Sequence, residues 1–443
     1  MISKGARECF VYIVLPGQTE FVTAARFALG TDRAGNPRGE LVYGRNYLAR
    51  TDAVPIDPIE LKLAPGTYQT LNLKGVFGAL RDASPDYWGR RVIERHSGGG
   101  ELTEVDYLLY SSDDRAGALA FGLNREPPAP RRDFNRAIEL PHLQQLADRL
   151  IAEEEAEKPP EGAQAEQLDE LLLLGTSMGG ARPKVIVEDS SPEGGGPALW
   201  LAKFNRADDR FNHARVEHAM LRLAAECGLH AAESRVVQVG DRDVLLVRRF
   251  DREHIEAGYR RARMLSALTL LRAGDTYQDR ERWSYVILAE DLRRLSSDAR
   301  ADARELFRRM LFNALISNTD EHPRNHAVIA MDMDFRLAPA YDLTPFTPVS
   351  VERRDLAMSI GDAGRYAQAD NLLSQCARFL LTREEASAVI DSMEAQVKAR
   401  WYPVARAAGV SEADCERIAI AFVYPGFRLT PQAPSQTRSR INM

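Results

Sequence analysis

Residues Asn313-Ala-Leu-Ile-Ser-Asn-Thr-Asp320-Glu-His-Pro-Arg-Asn325-His326 decide how the chain is read. An apolar helical run enters a polar loop, and Pro323, which has no amide hydrogen, is expected to keep the loop from continuing as helix. Four residues separate Asp320 from Asn325. Protein-kinase catalytic loops use that spacing to set an acid for the substrate hydroxyl beside a metal-binding amide. Asp342 follows 22 residues after Asp320, in Ala340-Tyr-Asp342-Leu, as a candidate second metal ligand. Two acids and an amide in this order suit magnesium-nucleotide chemistry.

Outward from this loop, Leu306, Met310, Leu311, Ala314 and Leu315 repeat at helical spacing and predict the helix that enters it. From Met264 onward strand signals become rare, and helices are expected to return across 371–422. Toward the N-terminus the pattern changes. Gly175-Thr-Ser177-Met178-Gly179-Gly180-Ala-Arg-Pro-Lys184 is a small-residue loop before a strand at 185–188, and Ser190 to Pro197 turns the chain into a second strand, 198–204, that carries Lys203. An amphipathic helix follows over 214–228, with Val216, Ala219, Met220, Leu223 and Ala224 on one face and Gly228 as its C-cap. Glu217 on that helix lies 14 residues after Lys203. Strands at 235–239 and 244–248 come next, and Arg249-Phe250-Asp251 leads out of them.

The first residues read as a small sheet. Runs at 9–15 and 20–29 flank Pro16-Gly17, and Glu40 to Tyr43 adds a third strand. Asp82 to His96 predicts one helix with Ser84 as N-cap, Pro85 at the first helical position and Asp86 in the first turn. Another helix is expected from Thr103 to Tyr110, a strand at 117–121, and a helix around Leu143 to Ile151. The acidic Glu153 to Pro160 segment reads as a solvated linker, and the polar tail after Thr430 as disordered.

Composition narrows the class. At 443 residues, 44% hydrophobic and 28% charged, the chain can bury a large core in two or three domains. A net charge of −6 argues against direct binding to nucleic acid through a general basic field. The four cysteines, Cys9, Cys227, Cys376 and Cys415, have neither metal-pair nor disulfide-framework spacing. No apolar run approaches the roughly 20 residues that span a bilayer. A reducing cytoplasm is the expected compartment, with no membrane association.

Each candidate also has an ordinary reading. A glycine pair before a strand is usually a turn, a lysine in a strand usually faces solvent, and an aspartate before Leu343-Thr-Pro345 can be a helix N-cap. His322 reads better as a residue holding the loop than as a ligand or base. His322 and His326, four apart, have the spacing of a zinc pair on a helix, which Pro323 weakens. The order of elements favours nucleotide chemistry: glycine loop, lysine, helical glutamate, then Asp320, Asn325 and Asp342.

These motifs, together with Val247-Arg248-Arg249-Phe250-Asp251-Arg and Pro339-Ala-Tyr-Asp342, resemble the HipA family, the serine/threonine-kinase toxins of bacterial HipBA-type toxin–antitoxin modules. The resemblance implies that Asp320 is the catalytic acid, that Asn325 and Asp342 hold Mg2+, and that Lys203 meets the phosphates of ATP. It also implies an ATP site drawn from Ser177, Met178, Gly179, Gly180, Lys184, Glu217 and His322, with Arg248, Arg249 and Phe250 along the adenine hinge. Ser177 matches the loop serine that the family autophosphorylates, which adds about two negative charges beside a phosphate site. The implied partners are a HipB-like helix-turn-helix antitoxin, a protein substrate such as an aminoacyl-tRNA synthetase, and DNA only through the antitoxin. The chain departs from the family pattern at Arg248, where an acid is frequent, and at Arg182-Pro183 in the loop.

The expected fold is α+β, bilobal and protein-kinase-like, with a β-rich N-terminal part and a mainly α-helical C-terminal part. The expected divisions are 1–125, 126–250 bearing the glycine loop and lysine, 251–430 bearing the catalytic loop, and a tail at 431–443. The expected function is a Mg-ATP-dependent protein serine/threonine kinase that restrains growth. The alternative is a catalytically weak kinase fold serving as corepressor through a DNA-binding antitoxin, and a zinc hydrolase is a third.

Overall fold

The computed structural model describes residues 7–97, 101–155, 182–190, 196–206, 208–347 and 350–429. The loop residues Ser177, Met178, Gly179 and Gly180, the centre of the proposed linker and the tail lie outside the described residues.

The first sheet has the order β4-β3-β2-β1-β5, from β1 Glu8–Val14, β2 Phe21–Thr31, β3 Pro37–Tyr43, β4 Thr67–Thr70 and β5 Leu119–Gly122, all antiparallel. The hairpin at Pro16-Gly17 forms as expected, Gly17 taking φ 75°. Between β4 and β5 the helices are α1 Gly78–Asp82, α2 Tyr87–His96 and α3 Glu104–Tyr110. The helix expected after Ser84 forms but starts two residues late, at Tyr87. Asp86, rather than Ser84, caps it, accepting the Gly89 amide at 2.7 Å. Thr103 caps α3 with Asp106 in a reciprocal capping box.

The middle sheet has the order β6-β7-β8-β10-β9. Its strands are β6 Asn135–Arg136, β7 Lys184–Ser190, β8 Pro197–Phe204, β9 Ser234–Val239 and β10 Arg242–Arg248, antiparallel except for β6 against β7. Helix α4, Leu140–Glu155, packs Leu143, Leu146 and Ala147 with Trp88 and Val92 of α2 over Val185, Val187 and Trp200. It runs on to Glu155, so the acidic stretch read as linker begins as helix. Helix α5, His213–Glu226, is capped by Asn212 and buries Val216, Ala219, Met220, Leu223 and Ala224. Gly228 ends it with φ 78°.

The remainder is mainly helical: α6 Tyr285–Leu295, α7 Ala299–Leu315, α8 Ala369–Ser374, α9 Arg383–Ala407 and α10 Glu412–Ile418. Two small β elements went unread in the sequence, apart from a short extended stretch within 336–342. The hairpin of β11 Arg252–Ile255 and β12 Gly258–Arg261 follows the middle sheet, and β13 Arg263–Ser266, β14 Ala327–Ala330 and β15 Arg336–Leu337 form a three-stranded sheet. The first sheet, α5 and the helical half share one apolar core. No helix among the described residues is long and apolar enough to cross a membrane.

Candidate active site

The central loop is set by the way α7 ends. The helix stops at Leu315, eight residues before Pro323, because Ser317 turns left-handed at φ 55°. Its amide reaches Ala314 O at 3.4 Å and the Asn318 amide reaches Asn313 O at 2.9 Å, a Schellman closure without glycine. The left-handed turn costs a non-glycine residue about 1–2 kcal/mol. Ser317 Oγ, donating to Ala421 O and receiving the Arg354 guanidinium, supplies offsetting hydrogen bonds. Pro323 opens a short 3-10 turn, Pro323–Asn325.

The loop is braced from beneath. Buried His326 contacts both Glu321 and the Tyr285 hydroxyl, which also takes the Asn313 amide at 3.0 Å. His326 is thus committed to holding the loop. His322 packs edge-on to Trp283, ring centroids 6.5 Å apart, and its carbonyl accepts the Asn325 amide. Among the described residues no three histidine, cysteine, aspartate or glutamate side chains converge on a metal position, so the zinc-hydrolase expectation lacks its ligand set.

Above the loop, Lys203 on β8 reaches Glu217 on α5 at 2.7 Å and Asp342 at 2.8 Å. Burial opposes the lysine's charge, but Asp342 and Glu217 outweigh it and hold the ammonium above its ordinary range. Asp342 is held below the usual carboxylate range, burial being overcome chiefly by Lys203. Its φ of 60° is left-handed, a strained setting that aspartate tolerates better than most residues. No helix begins there, so the N-cap reading of Asp342 drops away.

A chamber of 670 Å³ is lined by Lys184, Lys203, Glu217, Asn318, Asp320, His322, Asn325 and Asp342. Lys203, Asn325 and Asp342 also line a narrower, more apolar recess walled by Leu201, Val247, Arg248, Arg249, Phe250, Met264 and Tyr341. Phe250 and Tyr341 have ring centroids 5.6 Å apart. Asp320 is exposed at the chamber, its carboxyl raised above the ordinary range by partial enclosure, with Asp342 adding and His322 opposing.

The recess-lining arginines differ in their use. Arg248 makes an exposed pair with Glu233 at 2.8 Å. The Arg249 guanidinium is buried against Asp251 and the Asp114 and Arg115 carbonyls, so its hydrogen bonds are committed to the interior. Asp82 and the bidentate Arg182–Asp209 pair also bound the cleft, and Asp86 pairs with Lys184 behind its wall; none was a site candidate in the sequence. Their partners lie too far along the chain for spacing to reveal them. Asn325 and Asp342 offer hard oxygen donors to one cavity, a set that fits Mg2+, which commonly takes one or two protein ligands and completes its shell with phosphate and water.

A β-rich lobe with a lysine–glutamate pair, facing a helical lobe with an acid, an amide and a second acid, defines a kinase-like α+β protein. The sequence model described as "HipA-like C-terminal domain" matches residues 176–401, just over half of the chain, and the chain belongs to that HipA family. It is 28% identical over 143 residues to a Haemophilus influenzae protein named "Putative kinase", covering 30% of this chain and 42% of that protein. It is 27% identical over 165 residues to "Putative kinase Y4mE" of Sinorhizobium fredii, covering 35% and 37%. The matches thus span about two fifths of the length of these curated relatives. HipA of Shewanella oneidensis MR-1, solved with HipB and operator DNA, shares the fold with TM-score 0.63 at 16% identity, over 93% of this chain and 94% of that one.

Proposed function

We propose that this HipA-type protein is a Mg-ATP-dependent protein serine/threonine kinase. One observation carries the reading: Lys203 contacts both Glu217 and Asp342 on the wall of the chamber that Asp320 and Asn325 also line. That is the charge arrangement phosphoryl transfer needs, a cation for the phosphates, oxygen donors for magnesium and an acid for the attacking hydroxyl.

Asp320 accepts the substrate hydroxyl proton. Asn325 and Asp342 hold magnesium, which when bound neutralises charge on the transferring phosphoryl group. Lys203, oriented by Glu217, and Lys184 contact the phosphates, while Arg248 and Phe250 flank the adenine and Arg249 secures the hinge. Ser177, in the glycine loop with Met178, Gly179 and Gly180, is the autophosphorylation site. His322 supports the loop.

The division into 1–125, 126–250 and 251–430 with a tail at 431–443 belongs to this reading, as does action in the cytoplasm. A HipB-like antitoxin is the partner, in keeping with the similar Shewanella protein's assembly with HipB and operator DNA. The substrate is a cellular protein, an aminoacyl-tRNA synthetase by family resemblance.

The test is intact mass after incubation with Mg-ATP, comparing wild type with Asp320→Ala and Ser177→Ala. A phosphate-sized gain in wild type alone is expected. No gain in any of the three, with wild type still binding ATP, favours the corepressor reading.

A further inference from the structure

The first 175 residues lie outside the stretch matched by the family's sequence model, yet they reach the cleft at Lys184. Lys184 on β7 and Lys203 on β8 are direct partners across the antiparallel pair. Their side chains leave one face of the sheet at cross-strand spacing, where like charges destabilise. Each charge is offset separately. Lys203 has Glu217 and Asp342, whereas Lys184 forms an ion pair with Asp86, the two side chains being 2% and 3% exposed.

Asp86 is held firmly for this task. One oxygen caps α2 through the Gly89 amide, and the other takes the Lys184 ammonium. Trp88 and Val92, about one turn apart on α2, anchor it in the core that includes Val185 and Val187 of the lysine's own strand. Burial lowers the lysine's hold on its proton and Lys203 adds to this, while Asp86 and then Asp342 pull the other way.

We propose that Asp86 is a positioning residue of the nucleotide cleft, keeping the Lys184 ammonium charged and fixed beside Lys203 and so setting affinity for the phosphate chain without touching it. This rests on the kinase reading above. An asparagine at 86 keeps a good cap but turns its NH2 toward the ammonium, two donors face to face. A buried ammonium stripped of its acid discharges or moves, and the phosphate end loses a positive charge.

The test is calorimetric titration of Mg-ATP and of adenosine into full-length wild type, Asp86→Asn, Lys184→Met, the double variant and Lys203→Met. Asp86→Asn and Lys184→Met are each expected to weaken ATP binding roughly tenfold, the order of one lost charge contact, and to leave adenosine binding unchanged. Asp86→Asn should add little in the Lys184→Met background. ATP affinity within twofold of wild type in either single variant overturns the proposal, as does an equal loss for ATP and adenosine. Lys184→Met decides the matter even if Asp86→Asn does not fold. A wild type that binds no Mg-ATP, or Lys203→Met binding it as wild type does, removes the kinase reading and this inference with it.

Discussion

The Lys203 ammonium lies 2.8 Å from the Asp342 carboxylate although 139 residues separate them in the chain. That contact joins the β-rich lobe to the helical lobe across the cleft. Two consequences of its burial, one energetic and one catalytic, can be measured separately.

Lys203→Met should lose Mg-ATP-dependent phosphorylation by about 100-fold or more, the scale of a removed transition-state electrostatic contact. It also leaves Glu217 buried without its cation, and stability should fall by about 3 kcal/mol. Adding Glu217→Gln should restore part of that loss but none of the activity. Thermal melts and phosphate incorporation, run on the same preparations, separate the two effects.

Asp320→Asn should behave differently. The side chain is exposed, so stability should change by no more than about 0.5 kcal/mol. Phosphoryl transfer should drop by about 10²- to 10⁴-fold with Mg-ATP affinity nearly unchanged. An equal loss of binding and rate would argue that Asp320 holds the nucleotide and does not act on the hydroxyl.

Adjacent hinge arginines should give opposite results. Arg248→Ala removes only an exposed pair with Glu233 and should cost at most about 1 kcal/mol. Arg249→Ala removes one of the two buried guanidiniums on Asp251, which keeps Arg252, and takes the donor from the buried Asp114 carbonyl, so it should cost about 3 kcal/mol. Urea denaturation of the two variants is the comparison to make.

Asp57 supplies a pH test away from the cleft. Its carboxyl is buried, one oxygen accepting the Ile59 and Glu60 amides, and burial lifts its pKa to about 6 against an ordinary 3.8. The folded state therefore binds more protons than the unfolded state between those values, so stability falls as pH rises through that window. The full shift corresponds to about 3 kcal/mol, and relaxation should leave about 1–3. Asp57→Asn should lack this slope, and melting curves from pH 4 to 7 would reveal an identical slope if the carboxyl were not involved.

Much of the architecture was legible from local chemistry. Alternating and helical periods are properties of neighbouring residues, so β1 to β3, β7 to β10 and the apolar face of α5 follow from short stretches of chain. Asp320, Asn325 and Asp342 could be singled out because spacing within one loop and its exit is itself a geometric signal, and all three line one chamber. The cap at Asp86 was misread by two residues, and the left-handed turn at Ser317 went unread. Ser84-Pro85 satisfies the rules for a helix start, and nothing local announces a left-handed serine, whose support comes from Arg354 and Ala421.

The sequence by itself determined the two-part α+β order and the candidate chemistry of the loop, because helix, strand and turn preferences act over a few residues. Tertiary structure alone decided which partners the charged groups meet: Lys203 with Asp342, Asp86 with Lys184, and Arg249 with the Asp114 and Arg115 carbonyls. Long-range pairing leaves no periodic trace, since it depends on how whole elements pack, and desolvation then determines whether each pairing holds a charge or buries it.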